Sequence, residues 1–171
     1  MKKLARSVVV VIVALVTMVV NVPTADAASW RAVESYGVCG PSVFLRAGTY
    51  AQVCAIMEND RGEPLTKRHL NVRVIIRQSG GSANVSVSTT QAVRPYYRSD
   101  GRWFGPWQHV RTGSCNTRTF YSRTSQMCQG DWRSVASGWN LGADIVLIGQ
   151  ATITVNGVQY YLQSPRAYAY V

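Results

Sequence analysis

The residues best suited to binding a ligand lie between Arg94 and Trp107, where arginines alternate with aromatic side chains. Flat rings beside cations can stack on sugars or bases while the cations hold an acidic group. The turn Ser99-Asp100-Gly101 predicts a three-residue hairpin loop with glycine at its left-handed position. Such a loop would place Arg98 opposite Arg102, where like charges repel unless an anion lies between them. The ligand-binding residues predicted from this pattern are Arg94, Tyr96, Tyr97, Arg98, Arg102, Trp103, Phe104 and Trp107.

A structural interpretation of the same segment stays open. Asp100 could bridge Arg98 and Arg102, and aromatic side chains in β domains usually belong to the core. The sequence does not reveal which rings are exposed, so both interpretations stand. Other arginines could extend a basic face around the segment if the fold brings them together, and these are Arg111, Arg118, Arg123 and Arg133.

No catalytic motif accompanies these residues. A serine hydrolase needs a nucleophile, a base and a group that orients the base. The chain has only two histidines, His69 and His109, and no Gly-x-Ser-x-Gly sequence. The acidic residues after residue 27 show no spacing that singles out a pair for glycoside hydrolysis, and they are Glu34, Glu58, Asp60, Glu63, Asp100, Asp131 and Asp144. We therefore predict a protein that is not an enzyme and that uses no metal and no cofactor.

The cysteines predict two disulfides in an oxidising compartment, because their number is even. They are Cys39, Cys54, Cys115 and Cys128. Three connectivities are possible, and we favour Cys39–Cys54 with Cys115–Cys128 because each pair brackets a short segment that can fold back on itself. Closing each of these loops would stabilise the fold by roughly 3 kcal/mol in the chain-entropy model. The sequence has no C-x-x-C spacing that would indicate a zinc site.

Strands must position these residues, because apolar and polar residues alternate with period two along most of the chain. Residues 50–57 form one strand candidate. Residues 70–77 form another, with Asn71 and Arg73 expected on its solvated face. Gly80-Gly81 separates this run from a third alternating run and predicts a hairpin between the two.

The strongest local signal is Asn156-Gly157, which lies between two further strand candidates. These residues readily adopt the positive φ angles of a type I′ turn, so they predict a tight hairpin. The uninterrupted apolar residues 145–148 indicate a central strand that is covered on both faces. Residues 167–171 alternate again and predict a closing strand.

Helix signals are few. Asp131 could cap one or two helical turns that carry Trp132, Val135, Ala136 and Trp139 at helical spacing. Many short strands with frequent turns indicate an all-β fold. We predict a single compact β-sandwich, or a partly closed barrel, of mostly antiparallel strands with two disulfides and at most one or two short helical turns.

The first 27 residues predict export. Three cations precede the apolar run 8–20, and Ala25-Asp26-Ala27 supplies small residues at the positions that signal peptidase reads. The run covers 13 residues, whereas about 20 are needed to span a bilayer, so a retained anchor is disfavoured. We expect cleavage of the signal peptide after Ala27. Residues 28–171 would then form a single secreted β domain with no further transmembrane span.

The exported part is basic. The chain has 18 Lys and Arg against 8 Asp and Glu, and removal of Lys2, Lys3, Arg6 and Asp26 leaves 15 against 7, a net charge of +8. Such a surface favours anionic partners, although it also serves solubility. We expect binding of an anionic polymer or glycan at a cell surface. The alternatives are a protein partner, contacted by an inhibitor or effector through residues 116–127, and an enzyme with an unrecognised site; the sequence predicts no oligomeric state.

Overall fold

The computed structural model describes residues 28–33, 37–59, 68–97, 102–103, 105–135 and 144–169. Within these ranges the chain forms thirteen strands and no helix, as the alternating pattern predicts. The strands are β1 (Ser29–Arg31), β2 (Val38–Cys39), β3 (Val43–Arg46), β4 (Thr49–Asn59), β5 (Arg68–Gln78), β6 (Ser82–Tyr97), β7 (Arg102–Trp103), β8 (Gln108–Tyr121), β9 (Ser125–Gln129), β10 (Arg133–Val135), β11 (Asp144–Val155), β12 (Val158–Gln163) and β13 (Ala167–Ala169).

The strands form two antiparallel sheets that pack face to face. The first sheet has seven strands in the order β1-β9-β5-β4-β2, with β10 also paired to β5 and β3 also paired to β4. The second sheet has six strands in the order β12-β11-β6-β7, with β13 also paired to β11 and β8 also paired to β6. This arrangement confirms the predicted all-β sandwich, and the sheets do not close into a barrel.

The core lies between the sheets and is made of the alternate, inward-facing apolar residues of each central strand. Val72, Val74 and Ile76 of β5 are buried against Val85 of β6 and Ile153 of β11. Burial of one such side chain contributes about 1.5–3 kcal/mol relative to its exposure. At one edge the rings of Phe120 and Trp30 meet edge to face, with their centroids 5.1 Å apart.

Both predicted disulfides are confirmed. Cys115 of β8 and Cys128 of β9 join the second sheet to the first, with Cα atoms 5.9 Å apart and both residues buried in the core. Cys39 of β2 and Cys54 of β4 lie opposite each other on neighbouring strands of the first sheet. One disulfide therefore ties the two sheets together, whereas the other ties an edge strand to its neighbour.

The C-terminal predictions are confirmed where the structure describes them. Asn156 and Gly157 have φ angles of 47° and 80° and connect β11 to β12 as a two-residue turn. Val146 and Leu147 are both fully buried although they point to opposite faces of β11, so this strand is covered on both sides there. Residues 167–169 form the closing strand β13, paired with β11.

The hairpin predicted at Gly80-Gly81 is wrong. The flanking strands β5 and β6 belong to different sheets, so this turn carries the chain across the sandwich. A second crossing at the same end connects β8 to β9. Two alternating runs around a double glycine indicate a turn between them, but they do not indicate that the two strands pair with each other. Here β5 and β6 each pair with strands from other parts of the chain.

The helix predicted after Asp131 is wrong over residues 133–135, which form β10 and pair with Arg68–Leu70 of β5. Because β9 pairs with the same edge of β5, β9 and β10 form one interrupted strand. In the interruption, Gly130 donates its amide to Val72 O, and a Cβ there would lie 2.7 Å from the hydroxyls of Thr89 and Thr112. Pairing with the edge of β5 therefore determines the conformation of residues 133–135, although the spacing of apolar residues after Asp131 fits a helix. Residues 136–143 lie outside the described ranges.

The solvated face predicted for β5 is also wrong at two positions. Asn71 is fully buried and Arg73 is 5% exposed, on the side of the first sheet that faces away from the core. We call this side the covered face; its buried members are Cys54, Ile56, Asn71, Arg73, Ile75, Met127 and Gln129. Asn71 Nδ2 donates to Gly130 O at 2.8 Å, and the Arg73 guanidinium lies 6.0 Å from the Trp132 ring centroid. These contacts provide partners for part of each buried side chain.

The predicted leader, residues 1–27, lies outside the described residues, so its cleavage stays a prediction. In the part of the chain that the structure describes, no helix is long and apolar enough to cross a membrane. Both disulfides and this finding are compatible with an extracellular protein.

Candidate functional site

The predicted ligand-binding segment begins on β6 and returns as β7. Tyr96 lies opposite Trp103 and Tyr97 opposite Arg102, which leaves residues 98–101 as a four-residue connection. The expected opposition of Arg98 and Arg102 is therefore wrong, because the loop is one residue longer than the Ser-Asp-Gly turn suggested. Arg98 and Phe104 lie outside the described residues, and only backbone register is described for Tyr96, Tyr97, Arg102 and Trp103.

Arg94 contributes to holding this segment in place. Its side chain is half-buried, and Nε donates a hydrogen bond of 2.7 Å to the carbonyl oxygen of Gly105. Arg94 therefore ties β6 to the chain that returns towards β8. Trp107, two residues further on, is also half-buried. The two members of the predicted set whose side chains are described thus have structural contacts, and both keep part of their surface open.

Arg94 belongs to a larger surface on the second sheet, which we call the open face. It is the side of this sheet that points away from the core. Its polar side chains are half-buried or exposed, whereas Ala92 and Val146 on the same side are buried. Its members in β6, β8, β11 and β12 are Ser86, Ser88, Thr90, Arg94, His109, Arg111, Ser114, Gln150, Thr152, Thr154, Gln159, Tyr161 and Gln163. The predicted segment therefore lies at one end of a polar sheet face.

Cross-strand register orders the open face into rows. One row runs Tyr161, Thr152, Ser88 and Ser114 across four strands. The next runs Gln163, Gln150, Thr90 and Arg111. Successive rows lie about 7 Å apart, because side chains repeat every second residue of a strand. The face thus presents hydroxyl and amide groups at regular intervals.

Hydrogen bonds fix several of these side chains. Arg111 Nη2 donates to Ser114 Oγ at 2.6 Å, and that hydroxyl lies 3.3 Å from Ser88 Oγ. Gln163 Nε2 donates to the phenol oxygen of Tyr161 at 2.9 Å. Side chains that are held in this way lose little conformational freedom when a ligand arrives, so the face is partly preorganised for binding.

Two tyrosines stand along one edge of the open face. Tyr161 is 57% exposed and Tyr168 is 42% exposed. They lie opposite Thr152 and Val146 of the same strand, six residues apart, which corresponds to about 20 Å along the sheet. Exposed phenol rings offer a flat apolar surface with a polar tip. The two rings could contact the same extended ligand.

The described charges on the open face are positive. Arg94 and Arg111 belong to it, and the sequence has no acidic residue in segments 68–97, 105–130 and 145–169. Two described acidic residues lie nearby: Asp144 is opposite Tyr96 in register, and the amide of Asp131 donates to the carbonyl oxygen of Thr112, next to Arg111. Of the four arginines expected to extend the basic face, Arg111 does so, whereas Arg133 belongs to the first sheet. Arg118 and Arg123 are exposed towards the far end of β8.

The described residues contain no cluster of three histidine, cysteine or acidic side chains that could hold a metal ion. His109 Nδ1 lies 3.3 Å from Gln150 Oε1, so its described neighbour is an amide. Asn84, on the same sheet, accepts a hydrogen bond from Thr119 Oγ1 at 2.8 Å. The arrangement offers hydrogen-bond donors, acceptors and rings, which suit binding.

The sequence interpretation missed Tyr161, Tyr168 and Gln163. A signal for them was present, because the polar phase of 158–163 and 167–169 alternates with residues that face the core. The strands that carry these residues were predicted, but no function was assigned to their polar side chains. The sequence could not reveal that the polar side chains of β12 and β13 lie on the same face as those of β6 and β8.

Comparison with known proteins gives no family. No protein-family model matches the chain. No curated protein matches it either. Ten solved chains match in structure.

Three of these solved structures indicate how distant the similarity is. A protein assigned the name ApaA from Bordetella pertussis has 11% identity and a TM-score of 0.44, with 71% of this chain and 92% of that chain covered. A structural-genomics target named SoR45 has 10% identity and a TM-score of 0.37, with 73% and 88% covered. The sporulation control protein Spo0M from Bacillus subtilis has 10% identity and a TM-score of 0.35, with 71% and 49% covered. Similarity at this level assigns neither a family nor a function.

Proposed function

We propose that this protein is a secreted, non-enzymatic domain that binds an anionic polysaccharide at a cell surface. The ligand lies along the open face, across the rows of hydroxyl and amide groups, and reaches the Arg94–Trp107 segment at one end. The proposal keeps the partner class expected from the sequence and moves most of the contact surface from the loop to the sheet.

The observation that carries the proposal is the chemistry of the open face. Sugar hydroxyls need donors and acceptors at regular spacing, and the rows of Ser, Thr and Gln supply both. Tyr161 and Tyr168 supply flat surfaces for sugar rings. Arg111 supplies a planar guanidinium, which is suited to carboxylate or sulfate groups. The combination favours a polymer that carries both hydroxyls and negative charges.

A flat face suits an extended polymer better than a small molecule. Small-molecule sites are usually concave and enclose most of the ligand. The open face instead offers two rings about 20 Å apart, which a chain of several sugars can contact at once. Such repeated weak contacts give useful affinity through multivalency.

The proposal is tested with the exported protein on a matrix that carries an acidic polysaccharide, such as polygalacturonate. We expect retention at low salt and elution as ionic strength rises, because screening shortens the range of the arginine charges. Arg111→Gln should weaken binding about ten-fold, as expected for the loss of a charged hydrogen bond. Tyr161→Ala should weaken binding to both charged and neutral sugar chains, because it removes ring contact.

The matched control for Arg111→Gln is Arg31→Gln, which removes one exposed positive charge from the first sheet. This control should leave retention close to that of the parent protein. Equal loss in both variants would show that net charge alone governs binding, and the open-face site would be rejected. A 1:1 complex with a protein that survives high salt would instead favour the inhibitor or effector alternative.

A further inference from the structure

We infer that one end of the sandwich docks onto an anionic lipid surface, independently of the open face. This end, which we call the basic end, is built from three turns that lie side by side. They are Ala47-Gly48 between β3 and β4, residues 79–81 between β5 and β6, and residues 122–124 between β8 and β9. It lies at the opposite end of β6 from the Arg94–Trp107 segment.

Gln78 holds the three turns in one unit. Its side chain is buried, and Nε2 donates to the carbonyl oxygens of Ala47 and Gly80, each at 2.6 Å. Thr49 Oγ1 donates to Gln78 Oε1 at 2.7 Å. The Gln78 backbone donates to Thr124 O and accepts from the Arg123 amide. The basic end is therefore a fixed surface and not three separate loops.

Exposed rings border these turns. Phe44 is 56% exposed and meets Tyr50 edge to face, with their centroids 5.2 Å apart. Tyr121, the last residue of β8, is 64% exposed. Each ring lies within three residues of a turn. Rings exposed beside rigid turns at one end of a domain mark an interaction surface.

Arginine provides the charge at the basic end. Its four arginines are Arg46 beside the first turn, Arg77 next to Tyr50 in register, Arg118 near the end of β8 and Arg123 in the third turn. The sequence has no acidic residue in segments 37–57, 68–97, 105–130 and 145–169, which supply every described residue of this end. The described charges of the basic end are therefore all positive.

The acidic residues within the described ranges lie far from these turns. Glu58 is paired with His69 at the other end of β4, nine residues from Thr49, which corresponds to about 30 Å. Asp144 begins β11, whose far end lies beside the basic end. Asp131 follows Gly130, whose amide donates to Val72 O, six residues from Gln78 on β5, which corresponds to about 20 Å. Because the Debye length is about 8 Å at physiological ionic strength, these carboxylates do not offset the arginine charges.

The geometry favours a lipid surface over a polymer. Phe44 and Tyr50 belong to the first sheet and Tyr121 to the second, with the turns between them. A polymer chain lying along either sheet would reach only one of these groups, whereas a plane placed across the end reaches both. Aromatic rings suit the interfacial region of a bilayer. The arginines would contact anionic headgroups at the same time.

The test uses the exported protein and two kinds of vesicle, one of phosphatidylcholine and one with about a third phosphatidylglycerol. We expect co-sedimentation with the anionic vesicles and little with the neutral ones. The double variant Arg77→Gln with Arg123→Asn should lose about twenty-five-fold in partition constant, about five-fold for each arginine. Asparagine is chosen because residue 123 has a φ of 64°, which asparagine tolerates.

Insertion of the rings is tested separately. Phe44→Ser should weaken vesicle binding about ten-fold, since it removes a large apolar group from the interface. In the Phe44→Trp variant, lipids brominated on their acyl chains should quench more fluorescence than in the parent protein. The charge control is Arg166→Gln, which removes one exposed cation outside the three turns and should bind vesicles as the parent does.

Three results would overturn the inference. The first is equal binding to neutral and anionic vesicles, and the second is unchanged binding of the Arg77→Gln, Arg123→Asn variant. The third is binding to immobilised dextran sulfate that the Arg77→Gln, Arg123→Asn variant loses, with no binding of the parent to vesicles, which would assign the end to polyanions. None of these results depends on the binding of polygalacturonate through Arg111. Failure of the lipid inference is therefore distinguishable from failure of the proposed function.

Discussion

The outer sides of the two sheets have the same alternating pattern but are covered at different positions. On the covered face of the first sheet, Ile75 and Met127 are buried together with Asn71 and Arg73. On the open face of the second sheet, Thr152 is half-buried and Tyr161 is largely exposed. Alternation therefore determines which residues share a side of the sheet. It does not determine whether that side is covered.

The contrast also shows that polarity is a poor guide to exposure in this chain. Arg73 and Asn71 are polar, yet they are buried because Trp132 and the Gly130 carbonyl lie against them. Val33, which precedes β2, packs against the apolar members of the same face. On the outer side of the second sheet, the serines and threonines of β6 and β11 remain partly accessible. Function is expected on the second sheet for that reason.

The Cys115–Cys128 disulfide is the covalent tie between the two sheets. Replacing both cysteines by alanine should lower the free energy of unfolding by about 3 kcal/mol or more. Most of this decrease comes from the greater conformational freedom of the unfolded chain without the disulfide, and the loss of buried sulfur contacts adds to it. Urea unfolding with fluorescence and circular dichroism measures the change. Two separate transitions, one for each sheet, would contradict unfolding of the two sheets as one unit.

A reciprocal exchange tests the difference between the two faces directly. Ile75→Thr on the covered face should lower the free energy of unfolding by about 2 kcal/mol, because it removes buried apolar area and introduces a hydroxyl. Thr152→Ile on the open face should change it by about 0.5 kcal/mol or less. Both residues lie in central strands and face away from the core. Similar effects at the two positions would show that the faces do not differ in burial.

The smallest expected effect concerns the turn at the border of the open face. Asn156 has a positive φ, and its Oδ1 accepts a hydrogen bond of 2.8 Å from the Asn84 amide. Asn156→Ala should destabilise the fold by about 1 kcal/mol, whereas Asn156→Gly should cost less because glycine adopts this φ freely. Thermal unfolding of the two variants measures the difference. Equal destabilisation would show that the hydrogen bond, and not the backbone angle, is the larger contribution.

Predictions from the sequence held where the cause is local. The Asn156-Gly157 turn was correct because two adjacent residues determine its geometry. The disulfide pairing was correct because each pair closes a short segment. The prediction of a helix after Asp131 was wrong because residues 133–135 pair with the edge of β5. No local sequence pattern reveals that pairing.

The candidate site shows the same division. The strands of the open face were identified from alternation, but their assembly into one surface depends on pairings between distant segments such as β6 and β11. The register of the Arg94–Trp107 segment was off by one residue, since a four-residue connection replaced the expected three-residue loop. Burial of Arg73 could not be inferred, because it depends on segments that fold over the first sheet.

The two crossings between the sheets at the basic end also shape how the chain reaches its fold. Arg73 and Gln129 are neighbours in the first sheet, yet β6, β7 and β8 all intervene between them in the chain. Neither sheet can be finished from one contiguous stretch of polypeptide, so assembly is expected to be slow. During that interval the unpaired edges of β5 and β6 are open to strands of other molecules. Rapid oxidation of Cys115 and Cys128 would shorten this exposure and limit aggregation.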